Sequence, residues 1–192
     1  IGGFNSMLER QRTEDGECYV TTVLFDDRTE VIHDRVSIKS VPLLTEKEYY
    51  VRGCTALLDA VGETVRHIAK VHKYARKEDV PQKTLFVITT DGLENASHNY
   101  SYDRVKEMIE HEKEKYGWEF IFLGANIDAA AEAERFGIAP DMSVNYHCDE
   151  EGTRLNYEVL CDTVSEMRAC PTAPISAKWK KRIEKDYEGR KR

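Results

Sequence analysis

Two short strings carry the side chains best suited to chemistry: Gly53-Cys54-Thr55, and Thr90-Asp91-Gly92 with Glu94 and Asn95 close behind. A hydroxyl and a carboxylate are hard oxygen donors. Grouped on one edge they suit Mg2+, which takes oxygen ligands in octahedral geometry at about 2.0–2.1 Å and keeps several waters. Asp26-Asp27 could add carboxylates to the same edge. Each of these residues also has a plainer role. Thr55 can cap a helix beginning at Ala56, and Asp91-Gly92 can be only a turn. Asp26 and Asp27 suit the turn of a hairpin, and Glu94 with Asn95 reads as a solvated loop or a partner contact.

Other chemistry finds little support. The five cysteines at 18, 54, 148, 161 and 170 are odd in number and contain no C-x-x-C pair. They read as free thiols in a reducing, cytoplasmic setting rather than as a disulfide framework or zinc site. His67 and His72 are five apart and do not share a helix face, and H-E-x-x-H is absent. So are G-x-G-x-x-G, G-x-x-x-x-G-K-[ST] and G-x-S-x-G, which argues against the usual nucleotide cradles and a serine nucleophile turn. A net charge of −7 disfavours general nucleic-acid binding. No apolar run approaches the ~18 residues of a membrane helix. Because the chain begins at Ile1 rather than Met, a leader upstream is not excluded by these residues.

The elements that must position the candidate residues are legible from periodicity. Phe4, Met7 and Leu8 mark a short first helix; Tyr19 to Phe25 and Glu30 to His33 form a hairpin around Asp27-Arg28. Thr45 with Glu48 has the form of a capping box opening a short helical piece that Gly53 interrupts. Leu57, Val61, Val65 and Ile68 then define a longer amphipathic helix. Beyond it strands at 84–90, 118–124 and 142–147 alternate with helices at 103–116, 128–136 and 153–168. Strands as apolar as "WEFIFLGA" are buried on both faces, so the pattern predicts a parallel sheet between helical layers. Ligand sites in such sheets lie beyond the carboxyl ends of the strands. From Ala169 the chain turns basic, with eight Lys or Arg against three acids over 178–192. That segment reads as a solvated, poorly ordered tail, or as a short amphipathic helix that docks through Trp179 and Ile183.

"GCTALLDAV" followed by "LFVITTDGLEN" resembles the von Willebrand factor type A (vWA) domain, over roughly residues 1–168. "IGGFNSML", "TVLFDD" and "YGWEFIFLGANIDA" are similar to small bacterial proteins of that type. The resemblance implies a Rossmann-like three-layer α/β sandwich, with a mostly parallel central sheet, one antiparallel edge strand and helices on both faces. It further implies a metal-ion-dependent adhesion site in which Mg2+ is held by D-x-S-x-S after a first strand, a Thr before a helix and the Asp of a T-D-G turn. By motif, Thr55 is that threonine and Asp91 that aspartate, with Gly53, Gly92, Asp26 and Glu94 supporting the binding loops. A carboxylate from a partner protein completes the shell. No D-x-S-x-S occurs in this sequence; Asp141-Met142-Ser143-Val144-Asn145 enters a strand instead of leaving one. The expected place for the motif is upstream of Ile1, on a strand between the hairpin and strand 84–90. The metal site is therefore expected to be incomplete and weak in this chain. The resulting expectation is a protein-binding module, not an enzyme. The competing expectation is a Mg2+-dependent phosphoryl hydrolase or nucleotide-handling enzyme on a similar sheet.

Overall fold

A computed structural model describes residues 1–49 and 53–190. Along the chain it forms α1 (Gly2–Thr13), β1 (Tyr19–Phe25), β2 (Thr29–Ser37), α2 (Leu57–Tyr74), β3 (Leu85–Thr90), α3 (Tyr102–Tyr116), β4 (Glu119–Gly124), α4 (Ala129–Arg135), β5 (Ser143–Asn145), α5 (Glu150–Ala169) and α6 (Lys181–Gly189). The strand–helix alternation expected from residue 84 to 168 is present, with every boundary within three residues of its expected place. The helical piece expected after Thr45 is only a turn. Glu48 does answer Thr45 there, accepting from its amide at 2.9 Å and its hydroxyl at 2.6 Å, and the end of that piece lies outside the described residues.

Strand β4 organises the core because its side chains alternate between two buried faces. Phe120 and Phe122 join Leu57, Val61 and Val65 of α2, Val105 and Ile109 of α3, and Ala133 of α4. Ile121 and Leu123 point the other way, onto Val144 of β5, Val159 and Leu160 of α5, and Ile183 of α6. Helices thus cover both faces of this sheet. Burying a side chain as fully as Phe122, at 0% exposure, contributes about 1.5–3 kcal/mol. The helix starts are capped locally where α3, α4 and α5 begin: Ser101, Asp128 and Asp149 each accept a hydrogen bond from an amide three residues on. Gly117 ends α3 in the left-handed region at φ 66°, a conformation that glycine adopts without steric cost.

The sheet itself differs from the single one expected. β3, β4 and β5 form a three-stranded parallel sheet in that order, with Leu85 opposite Glu119 and Thr90 opposite Gly124. β1 and β2 pair antiparallel as a separate two-stranded sheet. Between the two, β1 and β3 share no ladder hydrogen bonds among the described residues. They are joined instead by packing, with Phe25 against the α2–β4 core cluster, and by the Ala56 amide donating to Asp26 O at 2.6 Å. The absence of a neighbour shows along β3: Val87 is 39% exposed, while Ile121, its register partner on β4, is 0% exposed.

Helix α1 bridges the hairpin and α5. Leu8 packs with Ile38 and Val41, and Gln11 Nε2 donates to Cys161 O at 3.0 Å and Ser165 Oγ at 2.8 Å. The tail corrects the expectation of a solvated, poorly ordered segment. Lys181–Gly189 is helical and Ile183 is 1% exposed. Arg182 in it is matched to acids on α5, bonded to Glu158 and Asp162 at 3.0 and 3.1 Å. Ahead of it Trp179 Nε1 donates to Asp141 O at 3.0 Å.

Candidate functional site

The turn that carries Asp91 is set by the residue before it. Thr90 is buried, and its hydroxyl donates to Gly92 O at 2.8 Å while accepting from the Gly92 amide at 3.3 Å. The ladder continues past the strand end, Ala125 N donating to Thr90 O at 2.9 Å. Asp91 is thereby left exposed at the carboxyl end of β3. Two neighbours from later loops reach it: Asn126 Nδ2 donates to its carbonyl at 3.5 Å, and the Cys148 thiol donates to Oδ2 at 3.9 Å. Asn126 holds a left-handed φ of 58° to do so, which asparagine tolerates better than most residues.

Thr55 is stitched to the same edge by backbone. Its amide donates to Asn95 Oδ1 at 2.9 Å and its carbonyl accepts from the Asn95 amide at 3.0 Å. A Cβ built on Gly92 would stand 3.5 Å from Thr55 Oγ1, so the hydroxyl and the turn are in contact. The plainer reading of Thr55 as a helix cap does not hold. The N-cap of α2 is Ala56, whose methyl group cannot accept a hydrogen bond. The free amides of the first turn are satisfied from a distance instead: Ala56 by Asp26 O, Leu58 by Glu94 Oε2 at 2.8 Å, and Asp59 by Ser97 Oγ at 3.0 Å. Thr55 Oγ1 makes no hydrogen bond among the described residues.

Two carboxylates lock the 92–100 loop to α2. Glu94 accepts from the amides of Leu58, Ala96 and Ser97 and from the Ser97 hydroxyl, all between 2.8 and 2.9 Å. Asp59 accepts from the amides of His98, Asn99 and Tyr100, each at 2.9 Å, and from Asn99 Nδ2 at 3.2 Å. Burial pushes both carboxyls up, but the amide donors outweigh it together, so each lies below the ordinary carboxylate range. Glu94 is therefore a loop-holding acid and not a solvated one. Asp26 is 4% exposed. Its Oδ1 accepts from the Arg28 amide at 2.7 Å, which makes it the hairpin-turn acid as well as the main-chain anchor of α2. Gly53 has open space where a Cβ would stand, and nothing among the described residues explains a glycine there.

Thr55, Asp91, Gly92, Glu94 and Asp26 are thus brought to one rim. In comparisons with known proteins, no family model, curated protein or solved structure matches the chain. Among the described residues there is also no group of three or more His, Cys, Asp or Glu that could hold a metal ion. The chance string at 141–145 serves architecture: Ser143–Asn145 is β5, and Asn145 Oδ1 accepts from the Ala129 amide at the start of α4 at 2.8 Å. Sequence reasoning brings Gly124-Ala125-Asn126 to the same rim as Asp91 but missed Cys148 as a neighbour. The signal was present, since Cys148 also follows a strand of the parallel sheet and so had to emerge at the same rim. Burial, then the charges of Asp91 and Asp149, raise the Cys148 thiol above its usual range.

Proposed function

We propose that the chain is a protein-recognition module of the vWA kind, Rossmann-like in arrangement. In this reading a divalent ion, Mg2+ by preference, joins Thr55 and Asp91 at the rim to an acidic side chain of a partner protein. The observation that carries it is the stitching of the Thr55 loop to the Asp91–Gly92 turn, which brings a hydroxyl with no hydrogen bond among the described residues and an exposed carboxylate to one edge. These donors fit Mg2+ in kind, being hard oxygens, and fall short in number. Two side chains leave most of six positions to water, so this chain alone holds the ion weakly. Asp26 does not make up the shortfall, because its carboxylate is turned into the hairpin. The acidic composition gives no footing for nucleic acid. No helix among the described residues is long and apolar enough to cross a membrane, and the free thiols suit a cytoplasmic setting.

The test adds what the reading requires. A chain extended ahead of Ile1 by an apolar strand ending in D-x-S-x-S, seated beside β3, gains about 2.7 kcal/mol of stability when Mg2+ is at a hundredfold excess over Kd. Asp91→Ala and Thr55→Ala each reduce that gain, and the unextended chain shows none. A thermal melt of the extended chain that is indifferent to both Mg2+ and EDTA refutes the reading.

A further inference from the structure

The last turn of α6 reaches back to the rim. Arg190 forms ion pairs with Asp186 on its own helix and with Asp149 at the start of α5, both at 2.5 Å. His147 Nε2 lies 3.1 Å from Tyr187 O, with the two rings 4.7 Å apart. Gly152 fits beneath this junction because it lacks a side chain. A Cβ there would meet His147 O at 2.2 Å and Arg190 Nη2 at 3.2 Å. The residues gripped, His147 and Asp149, flank Cys148, whose thiol rests on Asp91 Oδ2. The strand-end side of the loop is fixed separately, by Tyr146 N donating to Gly124 O at 3.1 Å.

We propose that α6 is a latch on the rim: through Arg190 and Tyr187 it holds the 146–149 loop in the position that lays Cys148 against Asp91. With the latch closed, the thiol donates to one carboxylate oxygen of the exposed Asp91, at 3.9 Å. When α6 lifts, the loop is released and that oxygen is freed for a ligand. Docking of the tail and occupation of Asp91 are therefore antagonistic, and a partner that takes up α6 would open the site. The identity of what Asp91 then binds rests on the metal-assisted reading above. The latch itself does not.

The test is accordingly made in EDTA, on the full chain, by following iodoacetamide labelling of each cysteine with peptide mass spectrometry. Arg190→Ala labels Cys148 faster by roughly two- to five-fold. Cys148 is already exposed with the latch closed, so its rate reports loss of the contact with Asp91, and the size is that of an ion pair of this exposure. Cys54 and Cys170 keep their wild-type rates. Buried Cys161 reports any general loss of structure. Should it label faster too, Asp149→Asn decides the matter, since asparagine still caps α5 while losing the charge that Arg190 grips. Wild-type labelling of Cys148 in these variants overturns the latch, whatever Mg2+ does at the rim.

Discussion

Replacing Asp59 with asparagine tests whether the rim is held from beneath by carboxylates. The native side chain is 8% exposed and accepts three backbone amides and one side-chain amide, at 2.9 to 3.2 Å. Asparagine keeps the shape but offers one oxygen in place of two, turns an NH2 group toward donors and loses the charge. At least two amides of the 98–100 segment then lack a partner. Net losses of about 1–3 kcal/mol for each orphaned group, eased by the nearby solvent, give a cost of about 2–4 kcal/mol. For a chain of this size that lowers Tm by roughly 4–16 °C. Calorimetry at neutral pH measures the shift, and hydrogen exchange locates it at the amides of His98, Asn99 and Tyr100. The acid limb supplies an independent check. Because the folded-state value of Asp59 is depressed, its contribution is fully present above the ordinary carboxyl value of 3.8. It is lost as pH falls through the folded value, so wild type and Asp59→Asn converge in acid. A variant that melts within about 1 °C of wild type at neutral pH, with those amides equally protected, refutes this account of the loop, since the calculation requires several degrees.

Two further outcomes follow from burial. Ile183→Ala removes a side chain that is 1% exposed against Val144, Val159 and Leu160, and costs about 2–5 kcal/mol in a denaturant titration; a solvated tail would give no change. His33 and His72 are both held below the ordinary histidine value of 6.5, chiefly by burial, with Arg35 adding to the effect at His72. Neutral imidazole is the folded form, so the stability it contributes is complete above 6.5 and declines as pH falls below it. Glutamine at both positions flattens the stability profile between about pH 7 and pH 5, and an unaltered slope would exclude these histidines as its source.

The parts of the fold that could be read in advance are those decided by neighbours in sequence. "WEFIFLGA" announces a strand buried on both faces because Phe120 to Ala125 is an unbroken apolar run, and β4 occupies that place. Pairing between strands is another matter, since the edges of β1 and β3 depend on what lies beside them, and they fall in separate sheets. At the site, local logic offered Thr55 as a cap of α2, the plainer alternative to a ligand. The amides there are in fact satisfied by Asp26, Glu94 and Ser97, some thirty to forty residues away. No spacing rule reveals a cap supplied across the fold. The tail was obscured by its own charge: Trp179 and Ile183 marked an apolar stripe, but the lysines and arginines suggested solvation until Glu158 and Asp162 of α5 appeared opposite Arg182.

The seam between α1 and α5 bears on how the chain folds during synthesis. Gln11 meets Cys161 and Ser165, and Arg168 closes over the end of α1 through the carbonyls of Gln11, Glu14, Asp15 and Gly16, across separations of 150 to 157 residues. At about 5–20 residues per second on the ribosome, α1 emerges on the order of ten seconds before its partner. A helix that must wait that long in water cannot carry a broad greasy face without inviting aggregation or capture by chaperones. The polar character of the seam, with Gln11, Arg10–Asp162 and Arg168 in place of more leucines, lets the first helix stay soluble until the last long one arrives to fasten it.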